Sequence, residues 1–278
     1  MRVVLLLTLL IGLTSCKPTA NVETQSAGAR APGSVNESLP IRWDDSSLPL
    51  NLYVSDDFSF VAGDIDTNGH DPIEQMQKEW DDAVTGKVLF NYDIGTTASK
   101  GTAGLSSYKD GVFGVYKSDD WFDSVTSGAL AITQFYAYKR TDSSGEYYQL
   151  SHADIIVNER DFDFGYGDDL GSTYDMRTVI LHEVGHLLGL NHQSNSSVAA
   201  VMQPYLSVGE KNRTLYSNDT QRISENYTDT ALSAGGSASY LPSGIPDGEE
   251  VYGIIELLAS GECKHYQNGK LIRSHYSF

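Results

Sequence analysis

The segment HEVGHLLGLNH, from His182 to His192, places three histidines and one glutamate at spacings that suit metal chemistry. On an α-helix, His182 and His186 lie one turn apart on the same face, so their two imidazoles can bind one Zn²⁺. Gly189 permits the left-handed turn that ends a helix, and this turn lets His192 return as a third ligand. A fourth position open to water is typical of a catalytic zinc site, and Glu183 is placed to hold that water.

A longer pattern around these residues resembles that of a known enzyme family. His182-Glu183-x-x-His186-x-x-Gly189-x-x-His192, followed by Met202, resembles the zinc motif and Met-turn of the metzincin peptidases. Within the metzincins, the chain most resembles the matrixins, the family of the matrix metalloproteinases. The flanking segments that carry this resemblance are Asp175-Met176-Arg177, Met202-Gln203-Pro204 and Leu215 to Tyr227. The resemblance covers roughly Leu39 to Tyr227, and it is specific only from Asp154 onward.

The resemblance implies an α+β metzincin catalytic domain. Such a domain has a twisted, mostly parallel sheet with one antiparallel edge strand, a backing helix, a zinc-motif helix and a C-terminal helix. The implied activity is that of a zinc-dependent endopeptidase in which Glu183 is the general base and then the general acid. Met202 would pack beneath the zinc site, and Pro204 and Tyr205 would form one wall of a substrate pocket. The residue after His192 is Gln193, where matrixins usually have Ser.

The acidic pair that opens the matrixin C-terminal helix is only half kept, as Asn218-Asp219. In many matrixins this pair anchors a freshly cut N-terminus. We therefore expect this protein to be active without such a cut. The propeptide cysteine that keeps many matrixins latent has no counterpart before the domain. Of the two cysteines, lipidation of Cys16 would leave Cys263 alone; it could block the zinc from the other end, although a buried or idle thiol explains it better.

Residues 1–15 are predicted to be a lipoprotein signal peptide, because Arg2 precedes a short apolar run that ends at Leu13-Thr14-Ser15-Cys16. The run is too short to span a membrane. Cys16 would be lipidated, and residues 16–38, which are rich in small and polar residues, would form a flexible tether. The expected location is extracytoplasmic, on a bacterial outer membrane or cell surface. An ordinary secretory signal with a chance cysteine is the alternative.

The rest of the chain divides by composition into a catalytic domain at 39–228, a Ser-, Gly- and Ala-rich linker at 229–248 and a small tail at 249–278. In the tail, Val251 to Leu258 is apolar and of uncertain type, and Asn268-Gly269 predicts a hairpin within Lys264 to Tyr276. In the domain, a helix is predicted at Ile73 to Val84, with Asp71 as its N-cap. The predicted strands are Val88 to Tyr92, Val112 to Tyr116, Ala129 to Tyr138 and Tyr147 to Val157.

The end of the last predicted strand, Ala153 to Asn158, resembles the edge strand above the matrixin cleft. An edge of this kind can take an extended peptide as an added strand, and a buried strand with no ligand role is the alternative. His152 and Asp154 lie where the family often holds a second, structural zinc, but too few histidines are nearby for such a site. Calcium stays open at two acidic segments, although helix capping and a solvated loop explain them better. These segments are Asp64 to Gly69 and Asp161 to Asp169.

The net charge of −18 argues against nucleic acid and against electrostatic binding to anionic membranes. The resemblance implies a protein or peptide substrate as the partner. Membrane contact is expected only through the N-terminal lipid, and the expected state is a monomer. Two other functions remain open. One is hydrolysis of cell-wall peptides, and the other is a non-catalytic, lipid-anchored binding protein with a metzincin fold, although the intact Glu183 speaks against the latter.

Overall fold

The computed structural model describes residues 39–142, 145–228, 245–259, 262–267 and 270–276. The predicted signal peptide, Cys16, the tether and most of the linker lie outside these residues. None of the helices in the described part of the chain is long and apolar enough to cross a membrane. The helices are α1 (Pro72–Ala83), α2 (Met176–Leu187) and α3 (Ser217–Tyr227), with single 3-10 turns at Asp45–Ser47 and Leu105–Tyr108.

Eleven strands are described, and nine of them form one mixed sheet. The strands are β1 (Ile41–Arg42), β2 (Leu52–Ser55), β3 (Thr96–Thr97), β4 (Phe113–Ser118), β5 (Ala129–Asp142), β6 (Gly145–Asn158), β7 (Phe164–Gly165), β8 (Tyr174–Asp175), β9 (Glu250–Leu258), β10 (Glu262–Gln267) and β11 (Lys270–Tyr276). The sheet order is β11-β10-β9-β5-β6-β4-β2-β3, and β1 pairs with β6 outside this path. Strands β1, β2, β3, β4 and β6 pair in parallel, whereas β5, β9, β10 and β11 form the antiparallel side. The α+β architecture of a metzincin catalytic domain is thus confirmed.

Helix α1 forms as its sequence predicts. Asp71 accepts hydrogen bonds from the backbone N–H groups of Ile73 and Glu74, and the Glu74 carboxylate accepts one from Asp71 N, which completes a capping box. Trp80 is fully buried and donates its indole N–H to Leu181 O in α2 at 2.9 Å. This bond fixes α1 against the helix that carries the first two histidines.

Two strand predictions need correction. Val88 to Tyr92 is not a strand, because it makes only a single bridge between Phe90 and Leu50. The Asp81 carboxylate accepts from Leu89 N and thereby takes the donor that a longer ladder would need. Ala153 to Asn158 is not an edge strand, because it lies inside the sheet between β4 and β5. Its run of apolar residues is buried on both faces, as is usual for an interior strand.

The tail strands extend the sheet of the catalytic domain. Residues Asn36 to Phe278 form one compact unit. The apolar run that the sequence left unassigned is β9, which pairs along β5, from Ala129 with Leu258 to Tyr138 with Glu250. The predicted hairpin is present as β10 and β11, and Cys263 lies in β10 opposite His275. The segment expected to follow the domain therefore lies beside β5.

Candidate metal centre

The three histidines of the zinc motif converge on one point. His182 and His186 are carried by α2, and His192 follows the turn at its end. Their Nε2 atoms are 2.9 Å apart between His182 and His186, 3.1 Å between His186 and His192, and 3.2 Å between His182 and His192. All three side chains are buried. Among the described residues, these three histidines form a group of metal-ligating side chains close enough to share one ion.

Backbone carbonyls orient two of the rings. His182 Nδ1 lies 2.8 Å from Val201 O, and His186 Nδ1 lies 2.7 Å from Leu190 O. A carbonyl oxygen only accepts, so each Nδ1 carries the proton and each Nε2 directs a lone pair at the common point. Burial lowers the pKa of His182 to about 4, which keeps that ring neutral. Nitrogen lone pairs aimed at one another repel unless a cation lies between them, so this donor set fits Zn²⁺.

Glu183 is also fully buried, with its two carboxylate oxygens in different surroundings. The Thr133 hydroxyl of β5 donates to Oε2 at 2.6 Å, while Oε1 has no hydrogen-bond partner in the described part of the chain. Burial raises the pKa of Glu183 to about 8; the Thr133 bond opposes this effect and the nearby Glu256 adds to it. Thr133 is a site residue that the sequence did not reveal, because it lies 50 positions away with no motif around it.

Met202 and Asp219 fix the chain around the histidines. Met202 is fully buried, and a Cβ added at Gly185 of α2 would lie 2.4 Å from its sulfur, so the two residues are in close contact. The Met202 carbonyl accepts from Gln193 N at 2.7 Å, next to His192. The buried Asp219 carboxylate accepts from Val201 N at 2.7 Å and from Met202 N at 3.4 Å. The retained half of the acidic pair therefore holds the Met-turn.

A cavity of about 170 Å³ opens beside His182. Its lining includes His182, Val201, Tyr205, Leu206 and Leu257. Tyr205 thus lies at this cavity. Pro204 does not line it, and its backbone oxygen accepts from Leu258 N at 3.2 Å, so the predicted pocket wall of Pro204 and Tyr205 stays a prediction. The presence of Leu257 from the tail strand was not predicted.

The remaining candidate residues make local contacts. His152 Nε2 lies 2.7 Å from Asp154 Oδ2 and 2.8 Å from Tyr108 O, and both side chains are buried. In the two acidic segments considered for calcium, Asp66 accepts from Asn68 N and His70 N. Asp161 pairs with Arg160. These contacts are those of turn capping and ion pairing. Calcium binding at either segment stays a prediction.

Gly189 provides the first testable prediction. Its φ is +91°, and a Cβ at this position would lie 2.1 Å from Ile41 O. Gly189→Ala is therefore expected to lower the free energy of unfolding by about 2–3 kcal/mol and to weaken zinc binding, since His192 follows this turn. Urea unfolding and zinc content measure both effects. Gly69→Ala is the matched control, because Gly69 has a φ of +94° with no atom within 4 Å of the added Cβ. Equal losses in the two variants would show that the contact with Ile41 is unimportant.

The fold and the centre together define a class of enzyme. A buried three-histidine cluster with a glutamate on the same helix, set against a mixed sheet, is the arrangement of a zinc metallopeptidase, which acts on proteins or peptides. The family model described as matrixin matches residues 109–228. The match and the histidine cluster together support a matrixin-like metzincin. A comparison with curated proteins found no match.

Proposed function

We propose that this protein is a zinc-dependent endopeptidase that cuts extracytoplasmic proteins and uses Glu183 as its general base. The observation that carries the proposal is the convergence of three Nε2 atoms within 3.2 Å of one another, next to a buried glutamate. His182, His186 and His192 would hold the ion. When bound, Zn²⁺ supplies Lewis-acid chemistry toward a peptide carbonyl and a water molecule.

The protein's own groups would handle the proton. Glu183 Oε1, the oxygen without a hydrogen-bond partner among the described residues, accepts a proton from the attacking water and delivers it to the leaving amine. The Thr133 hydroxyl holds Oε2 and so fixes the plane of the carboxylate. Tyr205 and Leu206 line the cavity that would receive a substrate side chain. Met202 is proposed only as a packing residue, because its sulfur faces Gly185.

The proposed location follows from the N-terminal sequence. Lipidation of Cys16 would anchor a monomeric enzyme to the surface of a bacterial membrane, and the tether at 16–38 would let the domain reach protein substrates. Labelling cells with a radioactive fatty acid tests this proposal, with Cys16→Ala as the control. Absence of label from the parent protein would contradict lipid anchoring and leave the catalytic proposal intact.

The catalytic proposal is tested by metal removal and return. Zinc-loaded protein is expected to cut casein, to lose activity with a chelator, and to recover it with one equivalent of Zn²⁺. His186→Ala should lose both the ion and the cleavage. Purified peptidoglycan in a parallel reaction distinguishes the cell-wall alternative. The proposal fails if zinc-loaded protein cuts neither substrate and if a variant that displaces strand β9, the Leu257→Asp protein described below, also cuts neither.

A further inference from the structure

The tail strand β9 occupies the position beside the histidine cluster that an extended peptide would need. Thr133 bonds to Glu183 and lies directly opposite Ile255 of β9. Two residues further on, Leu257 pairs with Ala131 and projects into the cavity that His182 lines. Both Ile255 and Leu257 are buried, at 4% and 2% exposure. Strand β9 thus passes next to Thr133, which bonds to Glu183, and beside His182.

Strand β9 is held by backbone bonds on both sides. One side forms the ladder with β5, and the other meets the segment after Met202. There Leu258 N donates to Pro204 O at 3.2 Å, and Leu206 N donates to Leu258 O at 3.4 Å. Earlier in the strand, Gly253 to Ile255 pair with β10. With both sides paired, the sheet offers no free edge next to the centre for a second extended chain.

A peptide that binds between β5 and the Pro204–Leu206 segment would make the same contacts. It would pair antiparallel with β5, run parallel to Tyr205 and insert one side chain into the cavity, as Leu257 does. The matrixin match ends at residue 228, so β9 belongs to the part of the chain beyond it.

We infer that β9 is an autoinhibitory segment: the chain's own residues Glu250–Leu258 fill the substrate cleft, with Leu257 as the anchor in the cavity. This inference rests on the proposed peptidase function. Activation then requires displacement or removal of the tail. A tethered segment experiences an effective concentration of the order of 1 mM, so a segment that binds with a Kd of about 10–100 μM suppresses substrate access by about 10- to 100-fold.

The first test measures access to the cleft without catalysis. The probe is a fluorescent nine-residue peptide with the sequence of Glu250–Leu258, and the zinc-loaded full chain carries Glu183→Gln so that the probe is not cut. Adding Leu257→Asp should tighten probe binding by about 10-fold or more, because a carboxylate in place of this buried leucine side chain, in a cavity that Glu210 also lines, expels the tail. Val88→Asp adds the same charge at an exposed site and should leave binding unchanged. Equal binding by the Leu257→Asp protein and its parent would overturn the inference.

The second test measures cleavage of casein with Glu183 intact. Leu257→Asp should raise kcat/KM by about 10- to 100-fold, and the free nine-residue peptide should reverse the gain, whereas the same peptide with Asp at its eighth position should not. Leu257→Ala, a milder change, should give a smaller gain and guards against misfolding, which zinc content and Tm would reveal. A full chain as active as the variants overturns autoinhibition. If the probe binds but no variant cuts casein, the result supports occupancy of the cleft by β9 and contradicts the peptidase proposal.

Discussion

Glu183→Gln is expected to keep one bound zinc and to lose about 10²- to 10⁴-fold in kcat, the usual contribution of a general base. Gln is nearly the same size as Glu and can still accept the Thr133 hydroxyl, so the buried helix α2 should keep its structure. What it lacks is a carboxylate at the Oε1 position, which the structure leaves without a hydrogen-bond partner in the described residues. The loss should therefore fall on the proton transfer and not on metal binding.

The measurement compares kcat on casein in the Leu257→Asp background, where the cleft is open, with and without Glu183→Gln. Metal analysis of both proteins should give one zinc per chain. Thr133→Val is a useful companion, because it removes the hydroxyl that holds Oε2 while keeping the carboxylate, and it should cost less than Glu183→Gln. A Glu183→Gln protein that retains a tenth or more of the parent kcat would rule out the proposed base.

The second large effect is expected at the buried pair His152–Asp154. Burial alone would lower the pKa of His152, but its bond to Asp154 raises it above the usual value. Burial raises the pKa of Asp154 to about 6, although the bond to His152 acts in the opposite direction. His152→Ala removes the side-chain partner of a fully buried carboxylate and leaves it only the hydrogen bond from Gly114 N among those described. It should therefore lower the free energy of unfolding by about 3–5 kcal/mol at pH 7.

The loss should also depend on pH in a definite direction. An acid whose folded pKa lies above its unfolded pKa binds more protons when folded, so the stability it contributes is present at low pH and is lost as pH rises through the folded pKa. His152→Ala should thus be more stable near pH 5 than near pH 8. Urea unfolding at both pH values measures this, and the double variant His152→Ala/Asp154→Asn should recover part of the loss. A single-variant cost below about 1 kcal/mol would show that the pair is not strongly coupled.

The metal centre was predictable from sequence because its members are local. Within eleven residues, helical spacing places His182 and His186 together, and the turn at Gly189 brings in His192. Helix α1 was predictable for the same reason, since its capping residues are adjacent to it. In each case the geometry follows from the backbone of one segment, and its periodicity is visible in the residue types.

Features that depend on distant pairing were not predictable in this way. Thr133 reaches Glu183 from another strand, and the β9 sequence could not show that it would pair with β5 more than 110 positions earlier. The same limit explains the error at Ala153 to Asn158, because an interior strand and an edge strand with one apolar face can share the same residue types. Only the order of strands in the sheet, which long-range packing decides, separates the two.

Because β9 pairs along β5 from Ala129 to Tyr138, its departure would leave a row of backbone donors and acceptors without partners. A long, bare strand of this kind is a template for pairing with other chains, and natural proteins usually cover it. The tail therefore also protects the molecule from self-association. Its loss is expected to leave an enzyme that aggregates at high concentration in the absence of substrate, so the period of activity after release would be limited by the solubility of the released form.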